Sequence, residues 1–194
     1  MLKNLVATIA VTAALGAGAQ TGAHAGEPPR PTTDFSGDMV VSSEGKSFTI
    51  RLAYSAALDK MRTEIKQQGM EMVGVRHMAT GEMVMWSNQM PGMAMRLTKK
   101  IDSDAEPHNT GETREVNGMS CTVWVYDKAK ACLTEDNIPL ETDADGVKAH
   151  LENVDISAQD ESLFAAPSGY KVMDMPKGLP QLPGMPSMGK GLPF

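Results

Sequence analysis

Aromatic side chains are scarce in this 194-residue chain, at 5% of the total, and histidine is scarcer still, with four. So few rings leave a core to be filled by aliphatic and thioether side chains. After the first 15 residues, no apolar run approaches the roughly 20 residues that a membrane-spanning helix needs. Positive charge is lacking as well. Lys and Arg total 18 against 24 Asp and Glu, a formal net charge of −6. That balance disfavours nucleic acid and anionic membrane surfaces, whose phosphates would be repelled rather than neutralised. Catalytic signatures are missing too: there is no G-x-S-x-G, no H-E-x-x-H, no Gly-rich phosphate loop and no C-x-x-C. Acidic pairs such as Asp102/Asp104 and Asp143/Asp145 read as solvated turns. The expectation is a non-enzymatic role without a cofactor.

What is present begins with an address. Lys3, the apolar run Leu5 to Leu15 and small residues ending in Ala23-His24-Ala25 follow the order of a secretory signal peptide with an A-x-A cleavage site. Residues 1–25 are therefore expected to be removed on export to the bacterial periplasm. The first cysteine is Cys121, too late to carry a lipid anchor, so a soluble protein without a transmembrane segment is expected. Cleavage leaves 169 residues carrying 17 basic against 24 acidic side chains, a length suited to one domain. In an oxidising compartment the two cysteines, Cys121 and Cys132, read as a disulfide. Closing that loop of about 12 residues contributes roughly 2.5–3 kcal/mol on the chain-entropy model.

Residues 26–33 (GEPPRPTT) form a Pro-rich leader, and the folded part is expected over 34–172. Short runs separated by turn signals follow: DMVVSS, SFTIRLAY, KMRTEIKQ, MEMVGVRHM and EMVMWSN. Phe48, Ile50, Leu52 and Tyr54 alternate onto one strand face, as do Met61, Thr63 and Ile65 against Lys60, Arg62, Glu64 and Lys66. Ala94 to Leu97 suits another strand, while residues 98–113 are polar enough for a loop or a surface helix. Asn117-Gly118 is a favoured two-residue hairpin turn, and further strands fit 131–133, 139–142 and 147–156. An antiparallel meander closing as a barrel, half-barrel or sandwich is implied. Residues 173–194, with five prolines and four glycines, predict a disordered tail that is nonetheless apolar.

Methionine is the abundant residue: 16 in all, eight of them between Met70 and Met95. The i, i+2 pairs Met70/Met72, Met83/Met85 and Met93/Met95 each place two thioethers on one strand face. Three uses compete. Methionine can fill an irregular core, or line an adaptable cavity for an apolar ligand. Its soft sulfur can also bind Cu(I), for which Met90, Met93 and Met95 with His77 or Met78 nearby are the candidates.

The run from Asp34 through KMRTEI, the element around Asn117-Gly118 leading to Cys121 and Trp124, Ile138-Pro139-Leu140, and the closing LFAAPSGY resemble the DUF4412 family of small secreted bacterial proteins. That pattern is similar to the periplasmic lipoprotein carriers LolA and LolB. The resemblance covers about 34–175 and implies a mainly β protein: a curved antiparallel sheet, or half-barrel, with few short helices and an apolar concave face. By position it assigns Phe48, Ile50, Met61, Ile65, Met72, Met83, Met85, Trp86 and Trp124 to an apolar cavity for a lipid or lipoprotein acyl chain. Little of the helical plug that such carriers use as a lid is visible. Two alternatives stand beside this: a Cu(I)-binding or metal-buffering protein, and a stress-sensing or envelope-assembly module acting through a protein partner.

Overall fold

In the computed structural model the described residues are 29–98, 106–126 and 129–175. The expected signal peptide, the start of the leader and the tail beyond Met175 lie outside them. Among the described residues twelve strands form: β1 Phe35–Ser43, β2 Lys46–Ser55, β3 Lys60–Gln67, β4 Met70–His77, β5 Glu82–Ser87, β6 Met93–Thr98, β7 His108–Val116, β8 Met119–Tyr126, β9 Ala129–Leu133, β10 Pro139–Ala144, β11 Val147–Asp155 and β12 Lys171–Asp174. They make one open, curved sheet in the order β12-β6-β5-β4-β3-β2-β1-β11-β10-β9-β8-β7. The half-barrel expectation holds.

Two antiparallel meanders, β1–β6 and β7–β11, join where β1 pairs β11, with Val40 opposite His150 and Val41 opposite Ala149. Hairpin turns drive each meander. Glu44-Gly45, Gln68-Gly69, Asn117-Gly118 and Asp145-Gly146 all hold both central residues at positive φ, between 50° and 81°. That geometry matches the right-handed twist of the flanking strands. No helix among the described residues is long and apolar enough to cross a membrane, which says nothing of strands.

Two expectations need correction. Residues 98–113 were expected to form a loop or surface helix, yet His108–Val116 is the edge strand β7, with eight of nine residues exposed. A strand wet on both faces shows no apolar alternation to read. Lys171–Asp174 is a strand as well, and it takes up Met173, where the tail was expected to begin. It pairs parallel with β6, Met173 opposite Met95.

The sheet buries side chains on both faces. The larger cluster includes Phe35, Met39, Ile50, Leu52, Met61, Ile65 and Met72 from β1–β4, and it continues through Leu151, Leu140, Val123 and the cysteines. We call the face of β1–β4 that carries these residues inner. On the outer face, a crossover from β11 to β12 packs Phe164 against Ala53, Val73, Val75, Trp86 and Ala94. A 3-10 turn, Glu161–Phe164, delivers that ring, capped by Asp160 accepting from the Ser162 N–H at 2.8 Å. Arg62 Nη1 and Lys60 Nζ then donate to the Leu163 and Phe164 carbonyls at 3.1 and 3.4 Å. Asp34 fastens the start of this strap, accepting from the Ala56 and Gln159 N–H groups at 2.7 and 3.0 Å.

Candidate functional site

Cross-strand partners share a face, so register decides which side chains meet. On the inner face at the β12 end, Met173 stands opposite Met95, Met95 opposite Met85, and Met85 opposite Gly74. One row on, Lys171 pairs with Met93, and on the other side Leu97 pairs with Met83 and Met83 with Arg76. Methionines from three adjacent strands thus form a continuous thioether surface. Met85 is buried, Met83 and Met95 are half-buried, and Met93 and Met173 remain 38% and 39% exposed. At Gly74, in the middle row, neighbouring side chains close over the backbone and leave little room for a side chain. A Cβ built there would lie 3.1 Å from Thr63 Oγ1 and 4.0 Å from both Met83 Sδ and Met85 Cγ.

The residues assigned to an apolar cavity are distributed unequally. Ile50, Met61, Ile65 and Met72 belong to the larger cluster, and Phe48 packs against it half-buried. Met83 and Met85 continue that face. Trp86 faces the other way, buried beside Phe164 with the Arg62 guanidinium 5.7 Å from its ring centroid. Trp124 lies in β8, half-buried in a separate cleft of about 570 Å³ with Leu133 and Ile156. The structure therefore brings together the methionines and aliphatics of β2–β5 but neither tryptophan.

The copper candidates are divided as well. Met93 and Met95 share the inner face, Met90 sits in the turn before them, and His77 falls on the opposite parity of β4, across from Lys60. His77 Nδ1 lies 3.9 Å from Asp59 Oδ2. That carboxylate is a structural clamp: it accepts from Arg30 Nη1 at 2.9 Å, Ala79 N–H at 3.0 Å and the Tyr54 hydroxyl at 3.2 Å. Burial first, and then the Asp59 carboxylate, push the Tyr54 phenol well above its usual range, so it remains a donor. Among the described residues, no group of three or more His, Cys, Asp or Glu could hold a metal ion. Cys121 and Cys132 are bonded to each other, as their number suggested, and tie β8 to β9.

Met173 was missed as a functional candidate because its row depends on a parallel pairing across 78 positions, which no local pattern announces. The alternation Lys171-x-Met173-x-Met175 was the available signal.

No family model and no curated protein matches the chain. Among solved structures, the fold is similar to PNGF-II, with 16% identity and a TM-score of 0.52 over 74% of this chain and 32% of that one. This chain therefore spans about a third of PNGF-II. It is also similar to an uncharacterized conserved protein from Thermus thermophilus, with 12% identity and a TM-score of 0.55 over 74% of this chain and 91% of that one. MucB in complex with MucA(peri) aligns with 15% identity and a TM-score of 0.47, over 74% of this chain and 58% of that one. At such identities the likeness is one of fold alone.

Proposed function

We propose that this chain is an exported, non-catalytic binding protein that lays an apolar chain along the methionine-lined end of the inner face. The observation carrying this reading is the row Met85–Met95–Met173, flanked by Met83 and Met93. Over β1, β2 and β11 the same sheet is packed shut, with Ile50, Leu52 and Leu151 at 0–1% exposure. A guest would therefore approach over β12 rather than between the two meanders. Flexible, polarisable thioethers suit a ligand of variable shape. Burial at about 25 cal/mol per Å² favours long chains over small polar molecules. Lys171, exposed and in the row of Met93, offers a counter-charge for an acidic head group. A fatty-acid-like amphiphile is the ligand class that fits both features. Export rests on the N-terminal pattern, and the bonded cysteine pair agrees with an oxidising compartment.

Displacement of a bound naphthylamine fluorophore by palmitate tests this. Palmitate is expected to compete in the native protein. Gly74→Val, which crowds Thr63 and presses on Met83 and Met85 in the methionine rows, is expected to weaken it roughly tenfold, about 1.4 kcal/mol. Its own overpacking cost should be about 1–3 kcal/mol. An affinity unchanged in a folded Gly74→Val protein, or no displacement in the native one, overturns the reading.

A further inference from the structure

Thioether sulfur is a soft, uncharged ligand that suits Cu(I) and related cations, whereas divalent zinc, magnesium or calcium prefer nitrogen, thiolate or oxygen. Both thiols of this chain are consumed in the Cys121–Cys132 bond, so its remaining soft donors are methionines. The register gathers them. Met85 and Met95 are direct partners across β5 and β6, and Met95 and Met173 across β6 and β12. Neighbouring strands lie about 4.8 Å apart, a spacing that three flexible side chains leaning together can span. Two positive side chains flank the row on the same face, Lys171 beside Met93 and Arg76 beside Met83. They repel a dication twice as strongly as a monocation. Uncharged soft donors thus select for softness, and the flanking charges cost a monocation less than a dication. Met173, at 39% exposure, leaves the row accessible from the sheet edge.

We propose that Met85, Met95 and Met173 form a three-thioether site for a soft monovalent cation, Cu(I), with Met93 beside them on the same face. The site differs from a Met90/Met93/Met95/His77 set in recruiting Met173 through the parallel pairing and in excluding His77, which has the wrong strand parity. It stands on the register alone and needs no apolar guest.

Silver(I) is the probe, because it remains monovalent without a reductant that would open the Cys121–Cys132 bond. Native mass spectrometry of the oxidised, full-length protein with silver nitrate in chloride-free buffer is expected to show one Ag(I) per chain. Met95→Leu and Met173→Leu are each expected to lower Ag(I) affinity at least tenfold. Leucine keeps volume and apolar character, so the fold should persist, read as an unchanged far-UV spectrum and unfolding midpoint. Met173 lies exposed on an edge strand, so its variant remains informative even if Met95→Leu misfolds. Absence of Ag(I) binding, affinity unchanged in folded leucine variants, or affinity lost instead in a His108→Ala/His150→Ala protein each overturns the site. Palmitate displacement scored without silver separates the two proposals: its loss sinks the amphiphile and leaves the cation, and its persistence beside a failed silver titration does the reverse.

Discussion

The two faces of β4, β5 and β6 are finished in opposite ways. Outward they present Val73, Val75, Val84, Trp86 and Ala94, branched, aromatic or small side chains that the crossover strap covers with Phe164, Ala166 and Tyr170. Inward the same strands present Met83, Met85, Met93 and Met95, unbranched side chains that run from Met85, buried in the middle row, to Met93, 38% exposed near the sheet edge. Stiff side chains with well-defined rotamers stand where the chain supplies its own lid. Adaptable ones stand where burial falls away toward the sheet edge, from Met85 to Met93 and Met173. The proposed binding surface is thus distinguished by its gradient of exposure as much as by composition.

The comparison is broken most severely from the covered side. Phe164 is 2% exposed and the only phenylalanine in its cluster, so Phe164→Ala should cost about 3–5 kcal/mol, read as a fall in the denaturation midpoint. Met95→Leu on the opposite face should change stability by less than about 1.5 kcal/mol. Equal losses would mean that the inner methionines are as tightly packed as the outer cluster, and the contrast between the faces would disappear.

A second contrast separates the two arms of the sheet. The β4–β6 arm is covered on its outer side by the strap, whereas β7, at the far edge, is exposed along all but Val116. The far arm carries a covalent tie instead, between β8 and β9. Replacing Cys121 and Cys132 by alanine should cost about 2.5–3 kcal/mol, from the roughly 12-residue loop thereby released in the unfolded chain. The loss should appear as a lower unfolding temperature, with Ag(I) and palmitate binding at the other arm unchanged.

Much of this architecture was legible residue by residue. Period-two alternation placed β2 and β3, Asn117-Gly118 placed the β7–β8 turn, and an isolated cysteine pair gave its own bond. What escaped is equally specific. EMVMWSN is apolar on both sides, so nothing local said that Trp86 would face the strap and Met85 the methionine row. β7 lacked any apolar face, and β12 was obscured by the proline and glycine that follow it. The candidate site was half visible: the i, i+2 methionines announced a shared face, but the register that aligns Met173, Met95 and Met85 belongs to tertiary structure.

The mildest way to probe the covered face is through pH. Glu64 sits on the outer side of β3, and its carboxyl is held below the ordinary value of 4.5. The chief cause is the Lys66 ammonium at 2.6 Å, with burial opposing it and the Arg62 guanidinium at 2.8 Å adding to the lowering. Arg62 is the residue that also lies over Trp86 and donates to the Leu163 carbonyl, so Glu64 steadies the cation that latches the strap. A carboxyl whose folded pKa is depressed contributes stability above its unfolded value, and the contribution vanishes as pH falls through the folded one. Glu64→Gln should therefore lower stability at pH 7 by no more than about 1 kcal/mol, since Lys66 is largely exposed and screened. The native and variant proteins should converge below the ordinary carboxylate range. Urea midpoints measured from pH 7 downward check this, and a gap that stays constant into acid would show that Glu64 acts by packing rather than by charge.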